Sequence, residues 1–181
     1  GGVINYTYLA NTDGKLSEIS STVNGVKNTN VFDYSKDKIS GYNTNRYGYY
    51  MSYDKYNMLS QLTNASHLIW ATSRVVNTNT IVETTYLGIG YYYIENTYDK
   101  YGNLILTKEG KTNDTLEVVK EVYYSDLDVN SITTNNPQDA SLKKNKYSKL
   151  RKTIDKLLMN TTKYYYDNKD RIKNIVNSST T

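Results

Sequence analysis

A seven-residue pattern recurs along this chain and constrains its fold more than any other feature. Tyr53-Asp54-Lys55-Tyr56-Asn57-Met58-Leu59, Tyr98-Asp99-Lys100-Tyr101-Gly102-Asn103-Leu104 and Tyr166-Asp167-Asn168-Lys169-Asp170-Arg171-Ile172 align without gaps. Each reads Tyr-Asp, two free positions, then Asn, Gly or Asp, one polar or flexible residue, and Leu or Ile. A fourth copy with a longer turn runs from Tyr8 through Asp13-Gly14-Lys15-Leu16. A fifth, degenerate copy runs from Phe32-Asp33 through Asp37-Lys38-Ile39. The aliphatic positions Leu16, Ile39, Leu59, Leu104 and Ile172 are 23, 20, 45 and 68 residues apart, near one, one, two and three periods. A fixed period of this kind marks one supersecondary unit per repeat.

Each copy has a mechanical reading. Before the Tyr-Asp pair, side chains alternate: Tyr47, Tyr49, Met51 and Tyr53 share one face of a strand, as do Tyr92, Ile94, Asn96 and Tyr98, and Tyr164 and Tyr166. The Asp accepts backbone N–H groups at the start of a turn. Three residues later Asn57, Gly102 and Asp170 are residue types that tolerate a left-handed conformation, as a type I turn followed by a bulge requires. The returning strand begins at the Leu or Ile. Leu16 is followed at i+3 by Ile19, Leu59 by Leu62 and Ile172 by Ile175, which strict alternation would place on opposite faces. Either both faces are covered or a bulge shifts the register. The expected fold is all-β: an antiparallel sheet of repeated hairpins, an open, curved strip within one domain spanning residues 1–181.

One stretch departs from alternation. From Pro137 to Asn160, Leu142, Tyr147, Leu150, Ile154, Leu157 and Leu158 recur near helical spacing after Asp139 or Ser141 as N-cap. This predicts a helical insertion over 137–160, its basic residues facing solvent. Lys143, Lys144, Lys146, Lys149, Arg151, Lys152 and Lys156 concentrate here against the single acid Asp155, whereas the whole chain balances 22 basic against 18 acidic side chains. So local an excess argues against a nucleic-acid-binding face.

Composition closes off other classes. With no cysteine, disulfide frameworks, thiol nucleophiles and zinc ribbons are excluded. The single histidine, His67, leaves no second imidazole for a metal site or a conventional triad. No apolar run is long enough to span a membrane as a helix, and the opening residues carry no signal-peptide signature. Asp126 and Asp128 have a spacing reminiscent of calcium loops but lack the accompanying Gly and Glu. No catalytic residue, metal ligand or cofactor site is predicted. Hydropathy is low, yet the abundance of Tyr, Ile, Val and Thr suits a pleated surface rather than disorder.

The pattern resembles the YD-repeat, or RHS-repeat, family. The residues that carry it are Tyr53, Asp54, Asn57 and Leu59; Tyr98, Asp99, Gly102 and Leu104; and Tyr166, Asp167, Asp170 and Ile172, with Gly14 and Leu16 supporting. The resemblance implies an extracellular, secreted or wall-associated protein, bacterial in most cases, whose repeats wind into a long antiparallel sheet, a stiff wall within a larger polypeptide. In some members that wall is a shell around a C-terminal toxin. The self-cleaving Asp-Pro-x-Gly motif that often ends such a shell is absent: the only proline, Pro137, follows Asn136. The expected partner is the remainder of a longer chain, with edge-to-edge self-association through exposed strands.

Tyrosine supplies 21 of the 181 residues, which raises a second expectation. A carbohydrate-binding module would use aromatic faces to stack on cell-wall or host glycans. Trp70 and the tyrosines outside the repeat face, Tyr50, Tyr91, Tyr93 and Tyr165, are its candidate stacking residues.

Overall fold

In the computed structural model, which describes residues 2–10, 14–65 and 67–179, each Tyr-Asp heptad closes a hairpin with the same hydrogen bonds. Asp99 Oδ1 accepts the amides of Tyr101 at 2.9 Å and Asn103 at 3.0 Å, and the Gly102 amide donates to the Asp99 carbonyl at 3.0 Å. Asp54 repeats this with Tyr56, Met58 and Asn57, and Asp167 with Lys169, Arg171 and Asp170. The third residue after Asp has positive φ in every case: 67° at Asn57, 86° at Gly102 and 64° at Asp170. Turn chemistry written in seven residues therefore dictates local structure directly.

The strands are β1 (Val3–Tyr8), β2 (Leu16–Val23), β3 (Val26–Ser35), β4 (Lys38–Thr44), β5 (Gly48–Tyr53), β6 (Leu59–Asn64), β7 (His67–Val76), β8 (Thr80–Leu87), β9 (Tyr92–Asp99), β10 (Leu104–Gly110), β11 (Glu117–Ser125), β12 (Lys149–Asp155), β13 (Asn160–Tyr166) and β14 (Ile172–Ser179). They form an open antiparallel sheet in which strand order follows the chain. The chain packs as two compact units, Gly1–Thr72 with Leu87–Gly90, and Ser73–Tyr86 with Tyr91–Thr181.

Bulges answer the question left by the i+3 spacing. Tyr8 pairs with Leu16, Tyr53 with Leu59, Tyr98 with Leu104 and Tyr166 with Ile172, and the register shifts at each pair. The residue after the aliphatic one is the extra residue, so Leu16 and Ile19 both lie opposite Tyr8 and Tyr6 on one face. The fourth copy thus pairs as its longer turn requires, although Asp13 lies outside the described residues. In the fifth copy it is Tyr34, not Phe32, that pairs with Ile39 at the shift. Phe32 instead faces Tyr42, and Tyr42 faces Tyr49, forming an aromatic ladder across β3, β4 and β5 with centroids 5.3 and 6.1 Å apart.

The helix predicted over 137–160 does not form. Asp139 does cap a turn, accepting the Ser141 amide, but that 3-10 turn spans only Ala140–Leu142 and stops at Lys143, whose φ is 47°. Residues Lys149–Asp155 pair as β12 with β11, and Lys152–Asp155 also pair with β13. The apolar positions meant to form one helical stripe are scattered: Leu142 is buried, while Tyr147, Leu157 and Leu158 are exposed. Pairing with neighbouring strands, on both edges from Lys152 onward, gives this segment's backbone its partners, and the nonlocal ladder overrides the local spacing.

What the helix reading concealed is a sixth hairpin. Tyr124 pairs with Leu150 at a register shift of the same kind, so β11 and β12 form a repeat whose turn has been replaced by the long 126–148 loop. The loop is anchored to the sheet. Ser125 Oγ donates to the Leu142 carbonyl at 2.5 Å, and the buried Arg151 Nε donates to the Ser125 carbonyl at 3.2 Å. Ile105, Val122, Tyr123, Val129 and Leu142 make the buried apolar core of the second unit.

Candidate functional site

The repeat tyrosines are joined to their neighbours by a recurring constellation. Tyr34 Oη donates to the Leu16 carbonyl at 2.9 Å, Tyr53 Oη to Ile39 at 2.7 Å and Tyr166 Oη to Leu150 at 2.9 Å. Each acceptor is the aliphatic repeat position of the preceding hairpin. The lysine just before that position lies over the same ring: Lys15 over Tyr34 at 5.7 Å, Lys38 over Tyr53 at 4.8 Å and Lys149 over Tyr166 at 5.6 Å. The lysine then reaches the turn beyond. Lys15 bonds the Lys36 carbonyl at 2.8 Å and Asp37 at 2.7 Å, Lys38 the Asn57 carbonyl, and Lys149 the Asp170 carboxylate. At these three junctions one hydroxyl, one cation over a ring and one bond to a turn tie a hairpin to the next.

Elsewhere the repeat adapts. Tyr98 bonds Glu83, which Arg74 pairs at 2.5 Å. Asp99 is buried, whereas the carboxylate of Asp167 is held below the usual range mainly by the Arg171 amide. Gly14 has a φ of 75° beside Lys15 and Leu16. The stitching lysines were missed in the sequence, although a signal existed. Each precedes the repeat aliphatic residue and meets a turn residue 22, 19 or 21 positions later, one period on.

The candidate stacking residues fall in both units, Tyr50 and Trp70 in the first and Tyr91, Tyr93 and Tyr165 in the second. Tyr50 is exposed beside Gly48 on β5, and Trp70, half-buried, pairs with Leu62. Tyr91 and Tyr93 gather with Tyr86, the Tyr86 and Tyr93 rings being 5.0 Å apart. The Tyr165 hydroxyl lies 3.4 Å from Asn130 Oδ1. Asp126 receives Asn145 Nδ2 at 2.7 Å and Ser148 Oγ at 2.6 Å, and Asp128 caps the Asn130 amide, so both serve loop structure. His67 is exposed at the start of β7. Among the described residues no group of His, Cys, Asp or Glu is placed to hold a metal ion. No helix among them is long and apolar enough to cross a membrane.

Neither the protein-family models nor the curated proteins contain a match to this chain.

The tyrosines predict an alkaline limit to stability. Burial is the main cause raising the hydroxyl pKa of Tyr86, Tyr98, Tyr124 and Tyr166, and a bond to Glu109 is the main cause at Tyr92. At Tyr123, burial and then the Glu121 carboxylate push it furthest. The folded state holds these protons more tightly than the unfolded chain. Their contribution is therefore complete below the unfolded tyrosine value of about 10 and is lost as pH rises through the folded values. The melting temperature should fall steadily above that point, with phenolate absorbance lagging until unfolding. A melting temperature unchanged well above the ordinary tyrosine pKa would contradict this.

Proposed function

We propose that this chain is a non-catalytic β-repeat scaffold, part of the wall of a larger extracellular or cell-surface protein of the YD-repeat type. The observation that carries the reading is the stitch itself. The same hydroxyl, cation and turn contacts join successive hairpins, so the most regular features of the sequence are used to link repeats. Tyr34, Tyr53 and Tyr166 serve these links and Tyr42 and Tyr49 the aromatic ladder, while none of the candidate stacking residues Trp70, Tyr50, Tyr91, Tyr93 and Tyr165 takes part in either.

The sheet edges extend the argument. Every residue of β1 and of β14 is exposed, including Val3, Ile4, Ile172, Ile175 and Val176. Ile172 occupies the position whose carbonyl accepts a tyrosine at Leu16, Ile39 and Leu150. Tyr8, the repeat tyrosine of β1, is 58% exposed. The two edges thus carry complementary halves of one link, the arrangement expected of a sheet continued by further hairpins of its own kind.

Light scattering across a wide concentration range tests this reading. Mass should rise with concentration as one copy's β1 takes the place of the next hairpin along another copy's β14. Lysine substitution at Ile4 and Ile175 should return the protein to monomer. A monomer mass throughout the range would overturn the scaffold reading.

A further inference from the structure

The three stitched junctions share one register. The residue two after the aliphatic position pairs with the residue three before the donating tyrosine: Glu18 with Val31, Gly41 with Tyr50 and Lys152 with Lys163. The hydroxyl of Tyr34, Tyr53 or Tyr166 then meets the carbonyl of Leu16, Ile39 or Leu150. The lysine before the aliphatic position also bonds the left-handed residue of the next turn, which is Lys36, Asn57 or Asp170, with φ of 56°, 67° and 64°. The parts of a fourth such link are present, divided between β14 and the β1–β2 hairpin.

Arg171 stands just before Ile172, where the three links have lysine. Its guanidinium folds back onto Asp167 of its own turn, with Nε at 2.8 Å and Nη2 at 2.7 Å from Oδ2. The Arg171 side chain is 71% exposed, against 23% and 26% for Lys15 and Lys149, because β14 is the last strand of the sheet. An arginine suits the place, since Arg151 already lies 4.9 Å from the centroid of the Tyr166 ring. At the opposite edge Tyr8 is exposed, where Tyr34, Tyr53 and Tyr166 are half-buried. Gly14, with φ of 75°, supplies the left-handed residue of that turn.

We propose that β1 of a second copy docks antiparallel on β14 in this same register, with Asn174 opposite Asn5 of the second copy. Tyr8 of that copy donates to the Ile172 carbonyl, and Arg171 leaves Asp167 for the Tyr8 ring and the Gly14 carbonyl. The alignment is transferred from the internal links alone, yet it sets Ile175 opposite Ile4 and Val176 opposite Val3, all four exposed on the free edges. A slip of one residue would set Ile4 opposite Asn174 or Ile175 opposite Asn5. A slip of two would set Ile4 opposite Lys173 or Val176 opposite Asn5. Facing aliphatic pairs stabilise a ladder and fix its register, so side-chain matching and the link geometry choose one alignment independently. The inference rests on the scaffold reading and specifies it, naming the register and the cation.

The chain has no cysteine, so introduced thiols report the register directly. Full chains carrying Ile4→Cys and Ile175→Cys are mixed and mildly oxidised, and the mixed disulfide is quantified by mass spectrometry. Directly opposite Cβ atoms lie roughly 5 Å apart, near disulfide reach, and diagonal ones roughly 7–8 Å. This mixture should therefore cross-link about tenfold faster than Ile4→Cys with Lys173→Cys or with Asn177→Cys. Tyr8 and Arg171 are exposed in the free chain, so Tyr8→Phe and Arg171→Gln should leave its melting temperature unchanged. Each should weaken association about fivefold in light scattering. Association with no preferred register, or unaffected by both substitutions, would overturn the link while leaving edge growth standing. A monomer at every concentration would overturn the link together with the scaffold reading.

Discussion

Tyr123→Ala is expected to destabilise the second unit by about 4 kcal/mol, from the truncation cost of buried aromatic side chains. The side chain is fully buried, and its hydroxyl donates to Glu121 Oε2 at 2.6 Å. Lys152 lies 3.9 Å from the ring centroid, and Lys156 pairs with Glu121 at 3.0 Å. Truncation therefore leaves a cavity and also removes a donor from a buried carboxylate. Tyr123→Phe separates the two effects. It keeps the packing, leaves Glu121 short of one donor, and should cost about 1–3 kcal/mol. Denaturant unfolding of the two variants measures both. An alanine variant no worse than the phenylalanine variant would mean that the ring's packing contributes little, against the burial seen here.

The contrast between Tyr123 and the heptads explains how much of this fold was legible in the sequence. A turn such as Asp99 to Leu104 is encoded within a few residues: a carboxylate that caps two amides and a glycine that takes positive φ. Local physics decides it, so the pattern reads directly. The bulge was half legible, because Leu16 and Ile19 could share a face only if the register slipped. The Tyr124–Leu150 hairpin was not legible, since its turn is replaced by a long loop and its two strands recognise each other only through pairing. Without that pairing in view, the Leu and Lys spacing of the segment imitates a helix. Phe32-Asp33 misled for a related reason: it imitates the motif two residues before Tyr34, which takes the role.

The candidate site divides the same way. Tyr53 and Tyr166 were visible as repeat positions, but their purpose depends on Lys38 and Lys149, which act on the following hairpin. A motif search confined to one repeat cannot see a contact made across a period. The residues where the 126–148 loop meets the β9–β10 turn were harder still. Tyr101 occupies a free position of the heptad, and Lys143 ends the Ala140–Leu142 turn in a left-handed conformation. Neither residue type nor spacing distinguishes them from a solvated turn.

Gly88→Ala is expected to have a comparably large effect in the first unit, by a different mechanism. A Cβ added at Gly88 would lie 1.9 Å from the Leu68 carbonyl oxygen and 2.9 Å from its carbon, both backbone atoms that no rotamer change can move. The Gly88 amide also donates to the Ile69 carbonyl at 2.8 Å, so relief of the clash pulls against a hydrogen bond. The strand must shift, at about 3 kcal/mol or more. Gly102 is the informative control. Space around it is open, but its φ of 86° is one that alanine adopts poorly. Gly102→Ala should therefore cost only about 1 kcal/mol, and Gly102→Asn less, because asparagine tolerates that conformation. Denaturant unfolding of the three variants distinguishes steric exclusion from backbone strain. If Gly88→Ala proved as mild as Gly102→Ala, the close approach of the Gly88 and Leu68 backbones would be wrong.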